Sequence, residues 1–429
     1  MKKTLKLLSI MLCICMLLAL ASCAAQEKTL MTFGDKTLSV NTYQLLLSRM
    51  KGSLDRYGYD VNNEKFWNTI INTDGMTYDD YFRANVMNQA SRYVIADYLF
   101  DKNGLTLTDD RLKTVDELMG KLVEKAGSKN KLNAELGNYG ANYDILRDLY
   151  VLETKIDMLK DHLYGENGEK ISNEVREDYL RVNYRAFGQL FIAGYEYLID
   201  TDDFGDYVYY TDKKHTEIAY DKKNGKTRLD EYGKEEKDVL GDPVYYGEDG
   251  KIAYDKKNGI LGYSYDENGE KKVKVYNDEK LSQLQEKAKE YEKQANGNID
   301  AFYDLAKLHG EGEDDGEIMY LYYSVGYYAS QNDAYKYLDD IAEQLDKMDV
   351  GECKTVKSSF GYHVICKYDV EEGVYDSEEQ KSVFSDFYDG LIAYLFEEEC
   401  KKYESRVKVN TSVADEASDM NSIGSNTGY

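Results

Sequence analysis

The chain has 429 residues, enough for two or three domains that each bury a core. Its 80 acidic residues outnumber the 54 basic ones. The resulting net charge of -26 at pH 7 argues against nucleic acid as a partner and against attraction to an anionic envelope. Tyrosine is abundant, with 42 residues against 12 phenylalanines and one tryptophan. Because tyrosine joins an apolar ring to a hydroxyl, this composition favours both core packing and hydrogen-bonding contact surfaces.

Residues 1–22 have the pattern of a signal peptide. A lysine-rich start precedes an apolar stretch at 7–21, which is too short and too early for a membrane-spanning helix. The following Leu20-Ala21-Ser22-Cys23 has the form of a bacterial lipobox, in which small residues precede the cysteine that receives lipid. We expect a lipid anchor at Cys23 that holds the protein on the extracytoplasmic face of the cell membrane. The alternative is an ordinary cleaved signal followed by an incidental cysteine.

The cysteines beyond the signal are few. Cys353, Cys366 and Cys400 are too few for a disulfide framework, and their spacing is not that of a zinc site. Cys353 and Cys366 flank the last predicted hairpin nearly symmetrically, so they can face each other as buried thiols or as a disulfide. The thiols are favoured because a disulfide has strict geometric requirements. We expect no metal and no cofactor.

Residues 23–175 are predicted to form a helical domain. It opens with a strand, a Gly-Asp turn and a helix, in LMTFGDKTLSVNTYQLLLSRMKGSL. A long amphipathic helix from Tyr78 should stop at Asn103-Gly104, and the next should begin at a Thr108 cap. A third should end at Gly165, before another that starts at Ser172.

The character of the sequence changes after AFGQLFIAGYEYLI, which has the composition of a strand. Residues 201–278 are polar and rich in tyrosine, and the segment Val208–Lys226 recurs in part as Val244–Ile260. Both copies contain IAYDKKNG. Four dipeptides are typical of tight turns: Asn224-Gly225, Asp249-Gly250, Asn258-Gly259 and Asn268-Gly269. The segment is predicted to be a repeated β-hairpin insert.

Helical patterns return after the insert and lead to the strand-rich CKTVKSSFGYHVICKYD. A final amphipathic helix is predicted from Glu378 to Ser405, within a C-terminal helical region at 373–410. Residues 411–429 are rich in Ser, Asn, Asp and Gly and are predicted to be disordered. The fold class expected for the whole chain is α+β.

Several segments together resemble one family. Gln189-Leu190-Phe191-Ile192 looks like a first strand, AFYDLAKLHGEGEDDGEI like a helix and its loop, and Phe360-Gly361-Tyr362-His363-Val364-Ile365 like a closing strand. In this order they resemble the parvulin family of peptidyl-prolyl isomerases, embedded as in PrsA- and SurA-like foldases of bacterial envelopes. The resemblance implies a helical chaperone-like lobe at 23–175. It also implies a parvulin-like domain at 176–372, a small antiparallel sheet with helices, interrupted by the insert.

The resemblance also implies a site. His363 would lie in it opposite Gln189, at a position where the family usually has a histidine. Gly312 stands where the family usually supplies Asp or Cys, within an acidic loop of Glu311, Glu313 and Asp314. The proline pocket would be formed by Ile341, Leu345 and Met348.

Prolyl isomerisation needs no nucleophile. Its barrier of roughly 18–20 kcal/mol comes from amide resonance, so catalysis consists of binding the twisted imide better than the planar one. Gln189 can donate and accept hydrogen bonds but cannot titrate, so we expect weak or absent isomerase activity. His363 is then a hydrogen-bonded core histidine rather than an acid or base.

The function expected from these features is that of a membrane-anchored foldase or chaperone that binds unfolded, newly secreted polypeptides. One alternative is an active prolyl isomerase with a variant site at Gln189 and His363. A second is a cell-surface binding lipoprotein that contacts the cell wall through the tyrosine-rich repeats at 201–278.

Overall fold

The computed structural model of the chain describes residues 28–201, 207–210, 226–227, 229, 232–237, 243–246, 260–266, 271–324, 326–328, 335–417 and 419–429. The predicted signal peptide with Cys23, both IAYDKKNG blocks and the four predicted turn dipeptides lie outside these residues. The chain forms two compact units. The first comprises Met1–Arg176 and Ser385–Tyr429, and the second comprises Glu177–Phe384.

Helices and antiparallel sheets together make an α+β fold, as predicted. The helices are α1 (Val40–Arg56), α2 (Glu64–Trp67), α3 (Tyr78–Lys102), α4 (Asp109–Ala126), α5 (Lys129–Gly137), α6 (Tyr143–Tyr164), α7 (Asn173–Asn183), α8 (Asp278–Ala295), α9 (Ile299–His309), α10 (Lys336–Asp346), α11 (Phe387–Glu404) and α12 (Thr411–Ala414). The strands are β1 (Thr29–Phe33), β2 (Lys36–Ser39), β3 (Tyr184–Ala193), β4 (Tyr195–Tyr197), β5 (Tyr209–Tyr210), β6 (Lys226–Thr227), β7 (Tyr245–Tyr246), β8 (Ile260–Leu261), β9 (Val273–Val275), β10 (Ile318–Tyr322), β11 (Cys353–Lys357), β12 (Gly361–Tyr368) and β13 (Lys408–Val409). Within the described residues, no helix is both long and apolar enough to cross a bilayer.

The helices of the first unit begin and end where their capping residues predict. Thr77 caps α3 through a reciprocal capping box with Asp80, and the Thr108 hydroxyl accepts from the backbone of α4. Gly165 follows the last residue of α6, as predicted. Side chains of α1, α3 and α6 then fill one core, whose fully buried members include Tyr43, Phe100 and Leu146. Each such side chain stabilises the fold by about 1.5–3 kcal/mol relative to its exposed state.

The C-terminal region differs from its prediction. The final helix begins at Phe387 rather than Glu378, because the chain passes from the second unit to the first between Phe384 and Ser385. Phe384 packs against Tyr184 and Tyr320 of the second unit, whereas Phe396 belongs to the core of the first. One continuous helix face is therefore not needed. The predicted disordered tail is also wrong for the described residues, since Met420 and Ile423 are buried in an ordered segment at 419–429.

The second unit is built on a four-stranded antiparallel sheet with the order β10-β3-β12-β11. Its side chains alternate between two faces. On one face Phe187 and Ile365 pack against α10, and on the other Gly188 approaches Phe302 of α9. The central strands β3 and β12, buried on both sides, carry the candidate site.

The described part of the insert forms the short antiparallel pairs β5 with β8 and β6 with β7, and its strand β9 pairs with β4, which precedes the insert. Three backbone hydrogen bonds in or beside the insert join an amide to the carbonyl eight residues earlier. They run from Val208 N to Asp200 O at 2.9 Å, from Val244 N to Glu236 O at 2.8 Å, and from Lys272 N to Ser264 O at 2.8 Å. The first two are 36 residues apart. The described residues therefore confirm a β-hairpin insert, and its repetition stays a prediction.

Candidate functional site

The sheet brings together the two residues that the sequence placed in the site. In the register of β3 and β12, His363 lies opposite Phe191 and Gln189 lies opposite Ile365, so His363 and Gln189 are diagonal neighbours on one face. The His363 Nδ1 atom is 2.9 Å from Gln189 Oε1. The amide occupies the position facing the imidazole, as the family resemblance implied.

The second imidazole nitrogen is also bonded. His363 Nε2 lies 2.8 Å from Ser358 Oγ, in the turn between β11 and β12. Because Gln189 presents its carbonyl oxygen to Nδ1, the proton is assigned to Nδ1, and Nε2 accepts from the Ser358 hydroxyl. His363 is only 4% exposed, and burial lowers its pKa to about 4. The imidazole is therefore neutral at physiological pH.

Asp315 is the site residue that the sequence did not single out. Its carboxylate is 4% exposed and accepts from Phe191 N at 3.0 Å and from Gly312 N at 2.8 Å. It also hydrogen bonds the Gln189 side chain, and burial raises its pKa despite these bonds. Gln189 thus bridges Asp315 and His363. The family resemblance matched Gly312 to the position that usually carries Asp or Cys. In this structure the carboxylate belongs to Asp315, three residues later.

The predicted acidic loop plays mixed roles. Glu311 Oε2 accepts from Ala193 N at 2.9 Å, and Glu311 N donates to Phe191 O at 3.0 Å, so this residue fastens the loop to the edge of β3. Glu313 and Asp314 are exposed. The contribution of the loop to the buried network is therefore Asp315 rather than the three acids expected.

Two aromatic rings enclose His363. Tyr337 of α10 stacks on the imidazole with centroids 5.0 Å apart and an interplanar angle of 16°. The Phe191 ring lies on the same face of the sheet, with its centroid 4.9 Å from that of the imidazole. Phe360 and Tyr337 make an edge-to-face contact with centroids 5.9 Å apart. Burial raises the pKa of Tyr337. The histidine is packed as a core residue, as predicted.

The predicted proline pocket is not an open pocket in this structure. Ile341 and Leu345 are fully buried, and Met348 is 3% exposed. All three pack in one cluster with Phe187 and Ile365. Ile341 and Leu345 lie on α10, and Met348 follows its end. The helix covers this face of the sheet, so its apolar stripe is used for the core. A groove of about 740 Å³ in the second unit lies elsewhere, between acidic and apolar side chains that include Glu317, Tyr320, Glu371 and Val383.

The arrangement limits the chemistry that it can perform. The Ser358–His363 distance suits a nucleophile and its base, but a general base works best with a pKa near the working pH. The His363 pKa is about 4, and the neutral Gln189 supplies no charge to stabilise an imidazolium. Within the described residues, no group of three or more His, Cys, Asp or Glu side chains is arranged to hold a metal ion. The site is best suited to neutral hydrogen bonding.

Cys353 and Cys366 lie directly opposite each other on β11 and β12. Both are free, fully buried thiols, and their sulfur atoms lie 3.9 and 3.7 Å from the Gly351 carbonyl oxygen. The structure therefore has the thiol form that the sequence favoured.

No protein-family model and no curated protein matches this chain. Solved structures similar to it include PrsA from Bacillus subtilis, at 14% identity over 80% of this chain and 93% of that chain, with a TM-score of 0.18. A peptidylprolyl isomerase (PrsA) from Bacillus anthracis is 11% identical over 76% of this chain and 99% of that chain, with a TM-score of 0.23. One from Bacillus cereus is 14% identical over 80% and 92%, with a TM-score of 0.23. With such low identities and scores, these similarities assign no activity to the chain.

Proposed function

We propose that the chain is a membrane-anchored, extracytoplasmic chaperone of newly secreted polypeptides, whose parvulin-like second unit has weak or no prolyl isomerase activity. The observation that carries this proposal is the closed hydrogen-bonded network of Asp315, Gln189, His363 and Ser358. The family resemblance would make His363 and Gln189 the active site, and both nitrogens of the imidazole are already bonded within this network.

Catalysis of isomerisation would need two things at this site. The prolyl ring needs an apolar seat, and the twisted carbonyl needs a donor that binds it better than the planar form. Here both imidazole nitrogens are already bonded within the protein. The Tyr337 ring covers the imidazole, and Leu345 and the rest of the expected seat are buried. These features favour a retained fold without effective catalysis.

The location follows from the start of the chain. Lipidation of Cys23 after removal of residues 1–22 would hold the protein at the outer face of the cell membrane, where secreted chains emerge unfolded. A high negative charge keeps such a protein soluble beside an anionic envelope.

The deciding experiment compares two activities of one preparation, the chain from residue 24 onward. We expect it to suppress aggregation of a chemically unfolded client, and to leave prolyl tetrapeptide isomerisation near the uncatalysed rate. A His363→Ala variant serves as the control for catalysis. Isomerisation that is fast in the parent and falls in the variant would make the protein an enzyme with a variant site. Absence of any effect on aggregation would refute the chaperone proposal.

A second candidate function has its own observation. The insert exposes tyrosine rings at Tyr207, Tyr232 and Tyr265, on a hairpin architecture that the sequence predicts to repeat. Exposed aromatic rings on a repeated scaffold suit a surface-binding role, here contact with the cell wall. The test is co-sedimentation of the chain from residue 24 with purified cell walls, beside a variant with Ser at these three positions. Equal sedimentation of both proteins would exclude this role.

A further inference from the structure

One face of α1 is polar where the core of a helical unit would normally be apolar. Ser48, Lys51, Gly52 and Asp55 have the spacing i, i+3, i+4 and i+7, which places them on a single helix face. Ser48 and Lys51 are buried, at 0% and 3% exposure. Buried polar groups need partners, and here the partners come from the segment 419–429.

The helix face binds mainly the main chain of that segment. Lys51 Nζ donates to the carbonyl oxygens of Asn421 at 2.9 Å and Ile423 at 2.8 Å. The carbonyl of Ser48 accepts from Asn426 N at 3.0 Å. Arg49 Nε donates to the carbonyl of Tyr429 at 3.0 Å. These contacts recognise a backbone, whereas Asp55 accepts from the side chain of Ser425, at 2.7 Å between Oγ and Oδ2.

The segment 419–429 comes very close to the backbone of α1 at Gly52. A Cβ atom at this position would lie 1.8 Å from the carbonyl oxygen of Asn426. The glycine stands inside a helix, where it is less favourable than alanine. Its absent side chain leaves room for another backbone to lie against the helix.

Side-chain selection is limited to a few positions. Met420 and Ile423, three residues apart, are buried, and Met420 belongs to the core of the first unit. Asn426 is also buried, and its amide donates to Ser48 Oγ at 3.3 Å. The remaining residues of the segment are exposed or half-buried. Two apolar side chains three residues apart are a common pattern in unfolded polypeptides.

We propose that this face of α1 is a peptide-binding groove, occupied here by residues 419–429, and that it takes segments of unfolded polypeptides that can turn so that two apolar side chains three residues apart are buried together. The inference rests on the proposed chaperone function and gives it a place on the first unit. The segment 419–429 acts as a built-in competitor. It contains no helix or strand, and segments held without regular secondary structure are among the first to open locally.

The test uses a labelled peptide with the sequence of residues 419–429 and measures its fluorescence anisotropy. The chain is compared with a form that ends at residue 418. We expect the shortened form to bind the peptide about tenfold more tightly or better, because its groove is empty. Gly52→Ala in the shortened form should abolish binding, since the added methyl group occupies the place of the Asn426 carbonyl. Gly120→Ala in α4 is the matched control, because nothing lies within 4 Å of its Cβ position.

A second protein allows the test to be made even if the shortened form does not fold. It is the full chain with a protease site introduced at residue 418 and cut after folding, so that labelled peptide can exchange with the bound segment. Failure of the peptide to bind the folded shortened form, or to exchange into the cut chain, would overturn the proposal. Equal binding by the Gly52→Ala and Gly120→Ala forms would do the same.

The class of partner is tested by competition. A permanently unfolded probe, reduced and carboxymethylated lactalbumin, should displace the labelled peptide from the shortened form, and serine at the Met420 and Ile423 positions of the peptide should weaken its binding. A peptide that binds without competition from the probe would overturn the assignment to unfolded polypeptides. Suppression of aggregation without any peptide binding would instead leave the chaperone function standing and refute only this groove.

Discussion

His363 and Gln189 are joined by a hydrogen bond of 2.9 Å between Nδ1 and Oε1, in the middle of a sheet that buries both strands. Gln189 is neutral and cannot lose or gain a proton, and its other end bonds Asp315. The pair therefore fixes one tautomer of the imidazole without charging it. That property distinguishes this site from a catalytic pair of titrating groups, and it leads to measurable consequences.

The pH dependence of stability is the first consequence. Burial lowers the His363 pKa from 6.5 to about 4, so the unfolded chain binds more protons than the folded one between these values. Stability is therefore fully present above pH 6.5 and is lost as the pH falls toward 4, by about 3 kcal/mol from this group. Denaturant unfolding at pH 7 and pH 4 measures the loss.

A variant isolates the contribution of this one group from the many carboxylates of the chain. His363→Gln removes the titration, so its free energy of unfolding should fall by about 3 kcal/mol less than that of the parent between the two pH values. His162→Gln, at an exposed position on α6, should behave as the parent does. Identical losses in all three proteins would contradict the assignment.

The bridging role of Gln189 predicts a cost for removing it. Gln189→Leu leaves the buried Asp315 carboxylate and the His363 Nδ1 proton without this partner. Each unsatisfied buried group costs about 1–3 kcal/mol, so the free energy of unfolding of the second unit should fall by at least about 2 kcal/mol. Gln283→Leu, at an exposed position on α8, is the matched control. Comparable small effects of the two substitutions in urea unfolding would show that the bridge does not stabilise the fold.

Tyr337 controls the environment of the imidazole. Its ring stacks on His363 and excludes water from that side, so Tyr337→Ala should raise the His363 pKa from about 4 toward 6.5. Titration of the histidine Cε1 resonances by NMR measures the shift. Tyr335→Ala removes a neighbouring ring that is 48% exposed and should leave the titration unchanged. A His363 pKa that stays near 4 in the Tyr337 variant would mean that the strands alone bury the imidazole.

The sequence predicted the parts of the site that have a local pattern. The composition of the segments around FGYHVI and QLFI predicted two strands, and the resemblance to the parvulin family implied that His363 and Gln189 face each other across them. Asp315 is one acid in the run GEGEDDGE, and nothing local separates it from Asp314. Asp315 points inward because of the turn in which Gly316 N donates to the Gln189 carbonyl oxygen at 2.9 Å.

Two differences between sequence and structure have physical causes of the same kind. Periodicity indicated that Ile341, Leu345 and Met348 are sheltered, but it does not tell a groove from a core, and the structure buries all three. The polar composition of 411–429 indicated disorder. The buried Lys51 and the missing side chain of Gly52 supply partners far earlier in the chain, with separations of 370 and 372 residues for the two Lys51 bonds. Both outcomes depend on contacts between distant segments, which a local pattern does not contain.

The thiols of Cys353 and Cys366 give a last prediction. They face each other across adjacent strands, yet both are free and fully buried. We expect the intact mass of the folded protein to be the same with and without reductant. An alkylating reagent should modify neither thiol until the protein is unfolded, because only an exposed thiolate reacts. Cys400, also buried in the first unit, should likewise react only after unfolding. A mass lower by two hydrogen atoms that reductant restores would instead reveal a cross-strand disulfide, which would tie together the two strands that flank the turn of Ser358.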